Sequence, residues 1–198
     1  MTANNISGVT NQARQTVDEI FSLYIKYGQE EYGERVTMLM HMVQAALLAE
    51  AEGCGDEMIV AAFLHDIGHF FEHASKMGEY GTMAHDDIGC SYLLEKGFPE
   101  KMAKLVGSHV AAKRYLTAVS DSYLDSLSEA SRQTLVYQGG PMSAEEIKLF
   151  EADEFYSDYI AIRIWDDKGK ETGVPVQQED MVRLKEKTYN YLLNHLTS

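Results

Sequence analysis

His65 and Asp66 stand side by side in the segment Phe63-Leu64-His65-Asp66-Ile67-Gly68-His69. An imidazole next to a carboxylate offers a metal ion both nitrogen and oxygen ligands, and the carboxylate has two oxygens with which to bridge a pair of ions. Adjacent His and Asp occur by chance in many chains, so the pair alone says little. Around it, however, stand His41 upstream and His85, His109 and Asp166 downstream. A single histidine of this kind is usually a hydrogen-bonded core or surface residue. The whole ordered set, H…HD…H…H…D, points to a shared metal site, and ions of the iron and manganese type accept this mixture of donors.

Such a site needs elements that carry its ligands to one point. His41, His65, His85 and His109 fall at or near the ends of predicted helices, roughly 20 residues apart, and packed helices can aim such residues into a common core. Val17, Ile20, Phe21, Tyr24 and Ile25 have the spacing of an amphipathic helix. Leu39, Val43, Ala46 and Leu47 repeat it and stop near Gly53. Met58 to His65 reads as a strongly buried helix, and Ile88 to Leu94 and Met102 to His109 as two more. Ser143-Ala144-Glu145-Glu146 is a capping-box start. Leu149 to Trp165 is helical in pattern with a break near Asp153, and Met181, Leu184, Tyr191 and Leu192 mark a C-terminal helix over about 178–196. Residues 28–34, 71–84, 120–128, 138–142 and 168–177 read as irregular. No strand alternation persists, and only three prolines interrupt the chain. The expectation is an all-α, single compact helical bundle over 1–198, with its metal-binding core at about 32–166.

Cations recur one turn from these ligands. Lys113 follows His109 by four residues, Arg163 precedes Asp166 by three, and His69 follows His65 by four, spacings that share a helix face. An ammonium or a guanidinium fork there can hold a tetrahedral anion; the alternatives are a solvated lysine and a salt bridge to a neighbouring acid. The segment from Ser126 through Ser131 and Thr134 to Gln138-Gly139-Gly140-Pro141-Met142 supplies hydroxyls and N–H groups, although composition alone makes it a helix between two loops.

Composition excludes several classes. A net charge of -14 leaves no basic stripe for a nucleic-acid backbone. Cys54 and Cys90 are too few for a disulfide framework and lack zinc-thiolate spacing, which fits two thiols in a reducing cytoplasm. No basic-then-apolar start resembles a signal peptide, and no apolar run approaches the roughly 20 residues that span a bilayer.

The ordered set resembles the HD-domain superfamily. Within it, the chain is similar from about Tyr32 to Asp166 to the mixed-valent diiron oxygenases that cleave carbon–phosphorus bonds. That resemblance rests also on His109-x-x-x-Lys113 and on the run L-S-x-A-S-x-x-T-L-x-x-Q-G-G-P-M. It implies that His41, His65, Asp66 and Asp166 bind one iron. Asp66 bridges to a second, which His85 and His109 complete. The cofactors are then two iron ions (Fe2+/Fe3+), with O2 as co-substrate. Lys113, Arg163, Ser131 and His69 are implied to hold a small organophosphonate. Tyr32 would cap an iron before substrate arrives, and Glu34 would approach the substrate's nitrogen. Here one residue separates Tyr32 from Glu34 where two are expected, while Glu34 keeps its offset to His41. The implied reaction converts a 1-hydroxyphosphonate bearing an amino or trimethylammonium group to phosphate plus glycine or glycine betaine. The alternative is a metal-dependent HD phosphohydrolase acting on a nucleotide or phosphate monoester. A polyol oxygenase would not need the Lys113 and Arg163 clamp, and a non-catalytic sensor would hold no transition metal.

Overall fold

The computed structural model describes residues 3–31, 35–71 and 84–198, with side chains from residue 7 onward. They form eleven α-helices: α1 (Ala3–Tyr27), α2 (Met38–Ala51), α3 (Asp56–Leu64), α4 (His85–Glu95), α5 (Glu100–Gly107), α6 (His109–Val119), α7 (Asp121–Ser126), α8 (Glu129–Tyr137), α9 (Ala144–Glu151), α10 (Tyr156–Lys168) and α11 (Gln178–Thr197). A 3-10 turn at Ile67–Phe70 follows α3. Among the described residues the β-pairing is a single isolated bridge between Glu31 and Thr37. The protein is all-α, and no described helix is long and apolar enough to cross a membrane.

The central pair is α2 and α3. Residues Ile59 to Leu64 of α3 are all buried, as are residues on nearly every side of α2, the signature of core helices. α1 presents Ala13, Val17, Ile20, Phe21 and Tyr24 to this core and packs along α11. α10 crosses α2, α3 and α6, and the 3-10 turn packs on α4. Among the helices that carry ligand-type residues, α10 packs on α2 and α3, α6 joins them through α10, and α4 through the 3-10 turn.

Local chemistry places the helix ends. Thr37 caps α2 by accepting from the Met40 N–H, and Ser143 and Glu146 form the expected capping box on α9. The break near Asp153 lies between α9 and α10, where Asp153 Oδ1 accepts from the Phe155 N–H at 2.9 Å. Two expectations are corrected. Met102 to His109 is not one helix: Ser108 Oγ donates to the Leu105 carbonyl at 2.8 Å, a local bond that competes with the helical ladder, and His109 starts α6. Residues 120–128 contain α7, capped by Ser120 through the Tyr123 N–H; a Ser followed by an acid in the first turn is the start signal that composition concealed.

Candidate metal centre and anion pocket

Each ligand-type residue lies at or near a helix end. His41 sits in the first turns of α2, His65 caps the end of α3, and Asp66 leads into the 3-10 turn with φ -103° and ψ 13°. His85 and His109 are the first residues of α4 and α6, and Asp166 lies near the end of α10. Ala84, before His85, is a non-glycine residue with φ 54°, a costly conformation of the kind that concentrates at functional sites. The turn carrying Asp66 is pressed against the start of α4. A Cβ on Gly68 would lie 1.8 Å from the His85 carbonyl oxygen, so only glycine allows the approach.

Asp66 joins two groups of donors. Its Oδ2 is 3.4 Å from both His41 Nε2 and His65 Nε2, and its Oδ1 is 3.4 Å from His85 Nε2 and 3.3 Å from His109 Nε2. His41 Nε2 is also 3.1 Å from His65 Nε2 and 3.4 Å from Asp166 Oδ1, and the Nε2 atoms of His85 and His109 are 2.8 Å apart. Ligand bonds of about 2.1 Å put neighbouring donor atoms about 3.0 to 3.4 Å apart, so these separations suit a metal ion in each group. His41, His65 and Asp166 form one set. His69 competes with His109 for the other, because its donor atom also clusters with those of Asp66 and His85. His69 Nε2 is, however, 3.9 Å from Asp66, and its ring stacks on His85 at 19°. Stacked imidazoles hold their in-plane lone pairs in near-parallel, separated planes that do not meet at one ion, so His109 converges better.

Backbone carbonyls aim the rings. His41 Nδ1–H donates to the Gly169 carbonyl at 3.0 Å, His65 Nδ1–H to Ala62 at 2.8 Å and His109 Nδ1–H to Val106 at 2.9 Å. Each bond leaves Nε2 pointing inward, the second layer that metal-binding histidines require. Gln44 takes no part in this; it clamps the backbone of Glu171. The site's charge is balanced internally. Burial opposes a charge on His41, but hydrogen bonds to Asp166 and Asp66 prevail and push the imidazole up to about 9. Burial would likewise raise Asp66 and Asp166, yet His65 holds the first, and Arg163 the second, well below the usual carboxylate range. His69 is held low and neutral by burial and by His85.

A pocket opens on the Asp66, His85, His109 and Asp166 side of the centre. Lys113, Ser131 and Arg163 line it, as does His69, so the structure brings these four sequence candidates together. Lys113 is buried and donates to Thr134 Oγ1 at 2.8 Å. Burial, reinforced by Arg163, pulls its ammonium down to about 7. Arg163 lines the pocket and also pairs with acids: Nη1 meets Asp166 Oδ2 at 2.5 Å, Nη2 bonds Asp167, and Nε donates to Tyr123 Oη at 2.8 Å. Thr134 and Gln138, from the segment read as a source of hydroxyls and N–H groups, line the same pocket, and so does Lys170, which sequence reasoning missed. Thr134 and Gln138 follow Ser131 at helical spacing on and just beyond α8. Tyr32 and Glu34 lie outside the described residues, as does His73.

The fold and the site together define a helical protein built around a histidine–aspartate centre fit to hold metal. Residues 38–158 match the HD domain family model. The chain is 44% identical over 162 residues to [1-hydroxy-2-(trimethylamino)ethyl]phosphonate dioxygenase (glycine-betaine-forming) of Leisingera caerulea, covering 78% of this chain and 80% of the relative. It is 38% identical over 165 residues to the hydroxymethylphosphonate dioxygenase of Gimesia maris, covering 82% of each. An uncharacterised protein of Acanthamoeba polyphaga mimivirus is 44% identical over 176 residues, 87% of this chain and 80% of that one. The chain belongs to the HD-domain family, and its relatives include enzymes named as dioxygenases.

Proposed function

We propose that this protein is a diiron, O2-dependent oxygenase that cleaves the carbon–phosphorus bond of a small 1-hydroxyphosphonate, working as one HD domain. The observation that carries the reading is the anion pocket of Lys113, Arg163 and Ser131 set directly against Asp66 and Asp166. The trimethylammonium substrate is favoured over the amino one because the Leisingera relative carries it in its name. His41, His65 and Asp166 would hold one iron, His85 and His109 the other, with Asp66 shared. When bound, the pair supplies the redox chemistry that activates O2.

The chain's own residues do the rest. Lys113 and Arg163 neutralise the phosphonate, and Ser131 and Thr134 add hydroxyls on its flank. Neutral His69 offers a ring nitrogen at the same wall without adding charge that would repel the cations. Glu34 and Tyr32 are assigned to the nitrogen end and to capping an iron. The net change balances: the C–H and C–P bonds break, and carbon and phosphorus each gain one oxygen, the content of one O2. The products are phosphate and a carboxylate, glycine betaine or glycine. The test is phosphate release by anaerobically purified, iron-loaded protein from each hydroxyphosphonate on admission of O2. Release that persists under nitrogen, or from phosphate monoesters with manganese, would replace this reading with hydrolysis.

A further inference from the structure

We infer that Lys170 is a substrate-binding residue, the third cation of the anion pocket; the assignment rests on the oxygenase reading of that pocket. Lys170 Nζ lies 3.3 Å from Ser131 Oγ and 3.7 Å from Asp166 Oδ1, on a side chain 16% exposed. Arg163 Nη2 approaches the same serine oxygen at 3.4 Å. Two cations thus occupy the acceptor side of Ser131. A hydroxyl has one hydrogen, which is left to donate elsewhere. Lys170 and Arg163 therefore set Ser131 as a donor, and three cations with one hydroxyl suit a tetrahedral dianion.

The charges are unequal. Arg163 is matched by Asp166 and Asp167, and Lys113 pays for its burial with a weakened hold on its proton. Lys170 has its 3.7 Å contact with an Asp166 oxygen that also faces His41. An ion bound at His41 would share that oxygen with Lys170.

Its position is fixed from both sides. The Gly169 carbonyl accepts from His41 Nδ1. Beyond Lys170, Gln44 Nε2 donates to the Glu171 carbonyl at 2.8 Å and Gln44 Oε1 accepts from the Glu171 N–H at 2.9 Å. A Cβ on Gly169 would lie 3.0 Å from the Trp165 carbonyl oxygen and 3.1 Å from that of His41, so the turn is packed tightly. Backbone ordering around Lys170 is in place before a ligand arrives, which lowers the entropic cost of binding.

The test is calorimetric binding of methylphosphonate, which has no hydroxyl on carbon, to the iron-loaded protein and its variants. We expect binding by the wild type, a loss of about tenfold or more in Lys170→Met, and binding within about threefold of wild type in Lys170→Arg, as for one charged hydrogen bond. Iron content should be unchanged in both. Equal affinity in Lys170→Met overturns the role of Lys170 alone. Lost iron in that variant overturns it too, by placing the effect on Asp166. A wild type that does not bind overturns Lys170 and the anion pocket together.

Discussion

Arg163 Nη1 donates to Asp166 Oδ2 at 2.5 Å while the other oxygen of Asp166 faces His41 Nε2 at 3.4 Å. One guanidinium therefore belongs to the anion pocket and to the support of the carboxylate proposed as a metal ligand. Arg163→Lys keeps a positive charge but loses the planar fork that reaches Asp166, Asp167 and Ser131 at once. The expected outcome is loss on both counts: weaker phosphonate binding, and metal affinity reduced about ten- to a hundredfold, the usual scale for a group that orients a ligand. Metal titration of the purified variant checks it; unchanged metal affinity would confine Arg163 to the pocket.

Asp66 divides its two oxygens between two histidine pairs. A shared carboxylate of this kind ties the occupancy of the two positions together. Asp66→Ala should retain at most one ion per chain after dialysis, where the wild type retains two, and should lose O2-dependent turnover. Elemental analysis decides the point, and two ions retained by the variant would remove Asp66 from the bridging role.

The residues that converge on the centre were legible because their types are scarce and their order is informative. An apolar helix that ends in His65-Asp66 can deliver both side chains to a core. Lys113 and Arg163 were legible by their spacing from His109 and Asp166. What escaped depends on contacts between segments distant in sequence. Lys170 follows a turn whose shape comes from Gly169 packing on α2 and from Gln44 bonding residue 171. The use of Gln44 as a backbone clamp has no local signature. Tyr123 meets Arg163 only because the segment read as a loop folds into α7. The kink at Ser108, which makes His109 a helix start, is a single side-chain bond inside an otherwise helical pattern.

Metal binding should release protons. Without an ion, His41 is held up to about 9 by Asp166 and Asp66 against the opposing effect of burial, so near neutral pH its inward nitrogen carries a proton. An ion needs that lone pair and must displace the proton. Affinity should accordingly rise with pH up to about 9 and level off above it. Titration of metal into metal-free protein in weakly buffered solution should show acid release at pH 7 and less at pH 10. Release that is equal at both values would contradict the assignment.

Lys113 gives a pH dependence of the same sign, in stability rather than in metal affinity. Burial first, and then Arg163, lowers its ammonium to about 7 from an ordinary value of about 10.4. The unfolded chain therefore binds more protons than the folded one between about pH 7 and 10, and folding stability from this group rises with pH across that window. Below it, the buried charge costs its full amount. Lys113→Met removes the charge, so in the metal-free protein the variant should gain in melting temperature over the wild type at pH 6. That advantage should shrink as the pH approaches 10. The same variant should bind methylphosphonate about tenfold or more weakly, since a charged hydrogen bond is lost. A stability difference that stays constant from pH 6 to 10, read by thermal unfolding, would show that Lys113 keeps an ordinary proton affinity in the fold. A site residue that destabilises its own resting structure while strengthening ligand binding is the expected trade between stability and function.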